Sequence, residues 1–301
     1  MANRDAILGV VFALIAAVGF SAKAILVKLA YIDHVDAVTL LAMRMVFSLP
    51  FFAGIALWAG HQHADPLKKH DWYWVFALGL VGYYLSSLLD FLGLQYISAG
   101  LERLILFLYP TITVILSALV YKQAIGRKVL AAMVLCYAGI MLVFLHDAGI
   151  KQGGSAILGA TLVFASTLSY SVYLVGAGHA IGRIGASRFT AYAMIVASAA
   201  CVLQFFLTRS TDSLNVSLHV YELAVAMAIF STVMPVLLLS YAIRRIGSGN
   251  ASLIGSIGPV STIYLAYVFL QENISLMQIT GSSLVLMGVL LISAGSNSTV
   301  K

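Results

Sequence analysis

The chain repeats itself at an offset of 149 residues, and the repeated stretches are apolar enough to cross a membrane. Whatever it folds into is therefore a duplicated helical bundle set in lipid. Sliding residues 99–144 onto 248–293 without a gap places Gly100 on Gly249, Pro110 on Pro259, Thr113 on Thr262, Ile125 on Ile274 and Gly139 on Gly288. Leucines coincide readily in apolar sequence, but two glycines and a proline do not. Internal duplication of hydrophobic segments is the sequence mark of secondary transporters, whose sites lie between repeats near the midplane.

Composition agrees with a lipid environment. With 61% hydrophobic and 9% charged residues and a mean hydropathy of +1.00, the 301-residue chain has too little polar surface to cover a soluble globule. A transmembrane helix takes about 20 apolar residues, and ten candidate spans follow: roughly 6–31, 37–59, 72–94, 98–121, 127–146, 154–176, 187–208, 220–242, 250–270 and 276–295. The first is too long for a signal-peptide core and carries Lys23, so it is read as retained. The gaps at 60–71 and 209–219 are too short for a soluble domain. The copies cover about 1–146 and 154–296, so the chain divides into a first unit at 1–146 and a second at 147–301. Five spans per copy is an odd number, which sends the second copy into the membrane from the opposite side. The expected fold is an all-α integral membrane protein of ten transmembrane helices in two inverted five-helix repeats.

The net charge of +6 reflects topology rather than nucleic-acid binding, since the basic residues form no continuous face. Eleven of the 17 Lys and Arg residues (Arg4, Lys68, Lys69, Lys122, Arg127, Lys128, Arg183, Arg188, Arg244, Arg245 and Lys301) fall on one side of the expected bilayer. Lys151 and Arg209 fall on the other. The positive-inside rule then puts both termini in the cytoplasm, and the expected location is the plasma membrane. Cys136 and Cys201 lie within apolar spans as small hydrophobes and suggest neither disulfide nor metal site. His61, His63, His70, Asp65 and Asp71 crowd one loop without the spacing of a metal site, and no phosphate-binding G-x-x-x-x-G-K-[ST] stretch is present. The triplets at Asn215, Asn273 and Asn297 match the glycosylation pattern, which matters only in a secretory compartment. No cofactor is expected.

At this point the residues resemble a known group. The N-terminal "GFSAKAILVKLAY", the "LGLQYISAGLERLILFLYPTITVILSALVYKQAIG" of the fourth span and the "AIRRIGSGNASLIGSIGPVSTIYLAYVFLQENIS" of the second half look like EamA-type members of the drug/metabolite transporter superfamily. The most specific element is the paired pattern of a polar turn with Gly, an apolar helix containing Pro, and an acidic or amide residue in the next loop, here Gln123 and Glu272. Gln123 departs from the usual Glu. The resemblance implies proton- or gradient-linked movement of small metabolites, commonly export of amino acids or toxic compounds.

Ionisable groups inside spans cost about 2.5–3.5 kcal/mol each on insertion scales, so they mark a cavity or a partner. Lys23, Arg44, Asp90, Glu102 and Arg103 all fall in the first half, and the second half has no comparable group away from its helix ends. They predict a polar vestibule formed by spans one to four, with Arg44 or Lys23 neutralising Asp90 and Glu102 near a second cation. Glu102 and Arg103 lie within reach of the outer surface and are expected to snorkel there. Asp90 follows Tyr83, Ser86 and Ser87 on successive turns and is the best candidate for coupling or substrate contact; a static ion pair is the alternative. Tyr109, Tyr170 and Tyr264 join Tyr83 as mid-span aromatics able to line a cavity, and Ser256 and Ser261 flank Pro259. Pro110, Pro235 and Pro259 predict helix kinks, and the first and last of them predict a cavity bounded mainly by the third, fourth, eighth and ninth spans. The Gly9, Ala13, Ala17 and Ser21 seam reads as a packing contact.

Together these features predict a secondary active transporter with a small-molecule substrate, the lipid bilayer and protons as partners. A passive facilitator, an intramembrane enzyme acting on lipid and a membrane scaffold are the alternatives.

Overall fold

A computed structural model describes residues 2–62, 67–122, 127–150 and 153–296. The regular structure of these residues is helical throughout: α1 (Ala2–Ile32), α2 (Ala37–Gln62), α3 (Lys69–Gly79), α4 (Ser86–Leu94), α5 (Ala99–Leu106), α6 (Tyr109–Tyr121), α7 (Arg127–Ile150), α8 (Gly153–Ile184), α9 (Ala186–Thr208), α10 (Leu218–Ala228), α11 (Met234–Gly255), α12 (Gly258–Leu270) and α13 (Leu276–Ser296). Among the described residues, seven helical stretches are long and apolar enough to cross a membrane, and Leu130–His146, Gly258–Leu270 and Leu276–Leu291 are shorter apolar helices. Helix is the only open-ended way for such segments to satisfy every backbone group without water. Leu57, Leu119, Phe206, Leu207 and Phe269 are all exposed on the outside of the bundle, as lipid-facing side chains are.

Local signals set the helix ends. Ser98 accepts from the Leu101 N–H at the start of α5, Ser217 caps α10, and Asp36 accepts from the backbone N–H groups of Val38 and Thr39 to open α2. At the ends of α6 and α12, Lys122 (φ 52°) and Gln271 (φ 54°) take the left-handed conformation that usually selects glycine. They are 149 positions apart.

The same offset governs the irregular backbone. A π-helical turn at Leu80–Leu85 joins α3 to α4, and a second at Ile229–Val233 joins α10 to α11. A break at Phe107 and Leu108 separates α5 from α6, and one at Ser256 and Ile257 separates α11 from α12. Pro110 and Pro259 are the second residues of α6 and α12, in the first turn, where a missing N–H costs nothing. The expected kinks at these two prolines are therefore outright helix breaks, each placed just before its proline. Pro235 differs: it is the second residue of α11 and follows a π turn with no break in the helix, and it packs where a Cβ on Gly19 of α1 would lie 2.7 Å from its ring.

Packing repeats too. α7 runs against α13 without room for a Cβ: one on Gly281 would lie 2.5 Å from the Gly139 carbonyl, and one on Gly288 would lie 2.6 Å from that of Ala132. Ala132 corresponds to Gly281 and Gly139 to Gly288, so the two contacts exchange under the repeat. The small-residue seam of α1 packs as expected, with Gly9 against Ile246 and Ala13 and Ala17 buried. The largest apolar cluster links α1, α2, α4, α9 and α10 through Leu40, Met45, Phe52, Phe91 and Met227.

Candidate functional site

Lys23 extends from the middle of α1, and its ammonium hydrogen-bonds Asp90 of α4. The same Nζ lies 2.9 Å from Oε1 of Glu102 on α5. That approach is not aligned as a hydrogen bond, and both Glu102 oxygens, with Oδ1 of Asp90, are buried without a hydrogen-bond partner among the described residues. The Glu102 side chain is 0% exposed, Asp90 5% and Lys23 14%. Glu102 does not snorkel; the turn that starts at Ser98 aims it inward, and a carboxylate at that depth requires a cation. One ammonium thus faces two carboxylates in a medium where each unpaired ion costs several kcal/mol.

Two guanidinium groups flank the triad. Arg44 of α2, 7% exposed, donates from Nε to Oγ1 of Thr232 at 3.0 Å and stacks over the Phe91 ring at 5.4 Å. It does not neutralise Asp90 directly; Lys23 does. Arg103 of α5 lies over the Phe107 ring at 5.9 Å, and its guanidinium occupies the space beside Gly258, where a Cβ would come within 2.8 Å of it. Its Nε is buried without a hydrogen-bond partner among the described residues, and its charge acts on Glu102, Tyr109, Asp90 and Tyr170.

From Arg103 an aromatic ladder runs toward α8. Phe107 meets Tyr109 at 6.2 Å, Tyr109 meets Tyr170 edge-on at 5.8 Å, Tyr170 stacks on Tyr173 at 5.6 Å, and Tyr173 lies 4.9 Å from Tyr83. The Tyr83 and Tyr173 hydroxyls are 2.8 Å apart. Tyr83, Arg103, Tyr109 and Tyr170 keep part of their surface open, as Lys23 does, while most of their neighbours are buried.

The structure thus brings Lys23, Arg44, Tyr83, Asp90, Glu102, Arg103, Tyr109 and Tyr170 into one continuous cluster, and leaves three expected residues with other surroundings. Ser86 is engaged in packing, 3.1 Å from the Ser166 hydroxyl, which also donates to the Ser86 carbonyl and ties α4 to α8. Ser256 is buried at the α11–α12 break. Tyr264 is 62% exposed on the bundle's outside, because helix α12 turns that face outward, and so it does not line an interior site. Gln123, His63 and Asp65 lie outside the described residues, whereas Glu272 accepts from the Ala99 N–H at 3.4 Å at the head of α5.

Sequence reasoning missed Thr232, Tyr173 and Ser166. One signal could have found Thr232: it is 149 positions after Tyr83, and both sit in π turns. Such turns widen a helix and commonly occur at functional sites. Helix α1 meets the break at Gly258 through Ser21, whose hydroxyl donates to the Gly258 carbonyl at 3.0 Å; Ser171 of α8 donates likewise to the Tyr109 carbonyl at 3.3 Å. Tyr109 and Gly258 are again 149 apart, so the same scaffold holds both breaks. The side chains on it differ, with charges gathered on the first half and tyrosines where α8 approaches.

Ion pairs and a histidine–carboxylate hydrogen bond join elements at both ends of the bundle. At one face Asp33 is paired with His219 at 2.9 Å and Asp36 with Arg209 at 2.9 Å, joining the α1–α2 turn to the α9–α10 connection. At the other, Arg183 of α8 reaches Asp71 of α3 at 3.0 Å. The hydrogen bond from His219 is the main reason the Asp33 carboxyl sits below its ordinary pKa. Burial pushes Asp36 up, but hydrogen bonds from Thr39 and Arg209 outweigh it and hold that carboxyl low as well.

Comparison with known proteins agrees with these features. The model of the EamA-like transporter family matches residues 7–145 and 157–294. The uncharacterized transporter YcbK of Bacillus subtilis (strain 168) is 31% identical, with 92% of this chain and 90% of that protein covered. An uncharacterized transporter of Archaeoglobus fulgidus is 25% identical over 87% of this chain and 90% of its own length. A solved crystal structure, 17% identical, superimposes over 97% of this chain and 99% of its own with a TM-score of 0.65, which shows a shared fold. Two family matches that fill both halves, together with apolar helices around a buried ionic cluster, identify the chain as a multi-pass membrane transporter of the EamA-like family.

Proposed function

We propose that this protein is a secondary active transporter that exports small metabolites, amino acids or related compounds, across the plasma membrane in exchange for protons. Ten spans in two inverted five-helix halves carry the substrate by alternating access, with both termini in the cytoplasm. The observation that carries the reading is the Lys23–Asp90–Glu102 triad, two buried carboxylates served by one ammonium. A single ammonium contacts both buried carboxylates, so a proton on one of them leaves the other paired with Lys23, while the flanking guanidinium groups keep their own contacts with Thr232, Phe91 and Phe107. A substrate ammonium and a proton therefore compete for the same two carboxylates, which is the requirement for exchange. The π turns and helix breaks at matching positions supply backbone that changes shape beside the triad, and the ion pairs at the two ends are natural gates. Lys23, Asp90 and Glu102 are coupling residues in this scheme; Arg44, Arg103, Tyr83, Tyr109 and Tyr170 are substrate contacts.

The test is uptake into proteoliposomes with a panel of labelled amino acids, with and without an imposed pH gradient. Wild-type protein accumulates its substrate against a gradient only when protons flow the other way. Asp90→Asn and Glu102→Gln should lose pH-driven accumulation while retaining counterflow. Equilibration without accumulation under every gradient would replace exchange by passive facilitation, and accumulation unchanged in both variants would remove the triad from coupling.

A further inference from the structure

We propose that an anionic phospholipid docks at the end of the bundle where α3, α8 and α9 meet, with its phosphate among Lys68, Lys69, Arg183 and Arg188 and an acyl chain along Trp72, Phe76 and Leu80. This surface is separate from the Lys23 cluster and does not depend on proton exchange.

The basic residues of this end belong to three helices, and the fold sets them side by side. Lys68 is the residue before α3 and Lys69 its first, and both are exposed. Arg183 stands in the last turn of α8 and reaches Asp71 of α3 at 3.0 Å. Asp71 also accepts from the Lys68 N–H at 2.9 Å, so its carboxylate is already engaged in holding α3 to α8. Arg188 enters from the first turn of α9, its guanidinium 5.9 Å over the Tyr192 ring, and Tyr192 lies 5.3 Å from the ring of Trp72 on α3. Four cations thus gather around one carboxylate among the described residues, a local excess that attracts an anion. No side chain caps α9 and its first turn carries no acidic residue, so nothing on that turn opposes a negative group.

The surroundings make that anion a lipid. Trp72, Phe76 and Leu80 follow one another at intervals of four residues, and all three are exposed on the outside of the bundle. Residues at that spacing form one continuous helix face, and the Trp72 and Phe76 rings are 6.1 Å apart along it. The face starts beside the cations and runs away from them into the span. A soluble anion would leave it bare, whereas an acyl chain attached to the phosphate covers it. Tryptophan and tyrosine sit at headgroup level, as Trp72 and Tyr192 do beside Arg188. Basic groups between helices on the cytoplasmic side hold anionic headgroups, and the distribution of Lys and Arg along the chain assigns this end to that side. Lys68 and Lys69 come from the first copy and Arg183 and Arg188 from the second, so a headgroup bound here bridges the two halves.

The probe is phosphatidylglycerol brominated on its acyl chains, mixed into phosphatidylcholine nanodiscs that hold the full chain with Trp72 as its sole tryptophan (Trp58→Phe, Trp74→Phe). Bromine quenches the fluorescence of a tryptophan it touches, so the signal reports a chain lying against Trp72. Brominated phosphatidylglycerol should quench with an apparent affinity about 10- to 100-fold above that of brominated phosphatidylcholine, as several basic residues near one headgroup provide. Lys68→Gln and Lys69→Gln should each lower that preference by about 5-fold, the contribution of one basic residue near an anionic surface. Arg188→Gln should lower it at least as much, and the two exposed lysines carry the test if that variant does not fold. Arg245→Gln, on α11 over the Phe12 ring and away from the patch, should leave it unchanged. Equal quenching by the two lipids, a preference insensitive to Lys68 and Lys69, or an equal loss with Arg245→Gln would overturn the proposal. Displacement of the brominated lipid by inorganic phosphate would assign the patch to a soluble anion and overturn it too.

Discussion

Lys23 is the cation that contacts both carboxylates, so its loss should be felt more than the loss of either partner. Lys23→Met leaves two buried negative groups facing each other, and breaking a buried pair costs about 3–5 kcal/mol. Thermal unfolding in a fixed detergent and lipid mixture should show a large drop in Tm for this variant. Adding Asp90→Asn and Glu102→Gln to Lys23→Met should recover much of it, since neutral amides no longer need the cation; a triple variant no better than the single one would show that the lysine stem's packing matters more than its charge. Which residues would be ionic was legible in the sequence, because a charge in an apolar span needs a reason to be there. That Lys23 rather than Arg44 takes Asp90 was not, because the partner depends on how α1 and α2 are rotated about their axes. The same gap put Tyr264 among the site residues. In a membrane bundle the lipid-facing and core-facing sides of a helix are both apolar, so the pattern lacks the contrast that reveals an inward face in a soluble protein.

At the scale of elements, the two backbone irregularities make opposite demands on sequence. The breaks before α6 and α12 carry their prolines in the first turn, where an N–H has no partner to lose. Pro110→Ala and Pro259→Ala should therefore each change stability by less than about 1 kcal/mol, against about 3 for a proline removing a hydrogen bond in a helix interior. Any effect on transport would then come from allowing α5 to run into α6, or α11 into α12, and counterflow rates would show it. The α7–α13 contact is unforgiving by comparison. Gly139→Leu forces a side chain into the Gly281 backbone, and overpacking of this kind costs about 1–3 kcal/mol or separates the helices. Its Tm should fall well below that of Gly178→Leu, a position with open space around it. The prolines and glycines announced these sites in the sequence. The π turn of the first half had no such signal, and the two turns present Tyr83 to Tyr173 of α8 and Thr232 to Arg44 of α2.

Across the whole molecule, the face that carries Asp33 and Asp36 links the first half to the second through His219 and Arg209. Asp36 both caps α2 and meets Arg209, and its carboxyl is held below its ordinary pKa. A depressed carboxylate contributes stability that is complete above its unfolded pKa of about 3.9 and is lost as pH falls through the lower folded value. Asp36→Ala should thus cost about 1 kcal/mol at pH 7, most of it from the cap, because the Arg209 pair is more than a third exposed and screened. The Tm difference between variant and parent should shrink as the pH drops below about 3.9, and a gap that stays constant down to pH 2 would show the carboxylate's charge to be immaterial there.

The sequence by itself determined that the chain is helical and membrane-embedded, that it is duplicated, and that its ionic residues lie in the first copy. Each of these follows from the composition of single segments or from their comparison, with no need to know how segments meet. Tertiary structure decided the pairing of Lys23 with both Asp90 and Glu102, the burial of the Arg103 guanidinium beside Gly258, the ladder through Tyr173 and the two π turns. These depend on helix rotation and close approach. In lipid they are settled by shape, buried hydrogen bonds and charge pairing between helices, for which hydrophobicity along the chain is no guide.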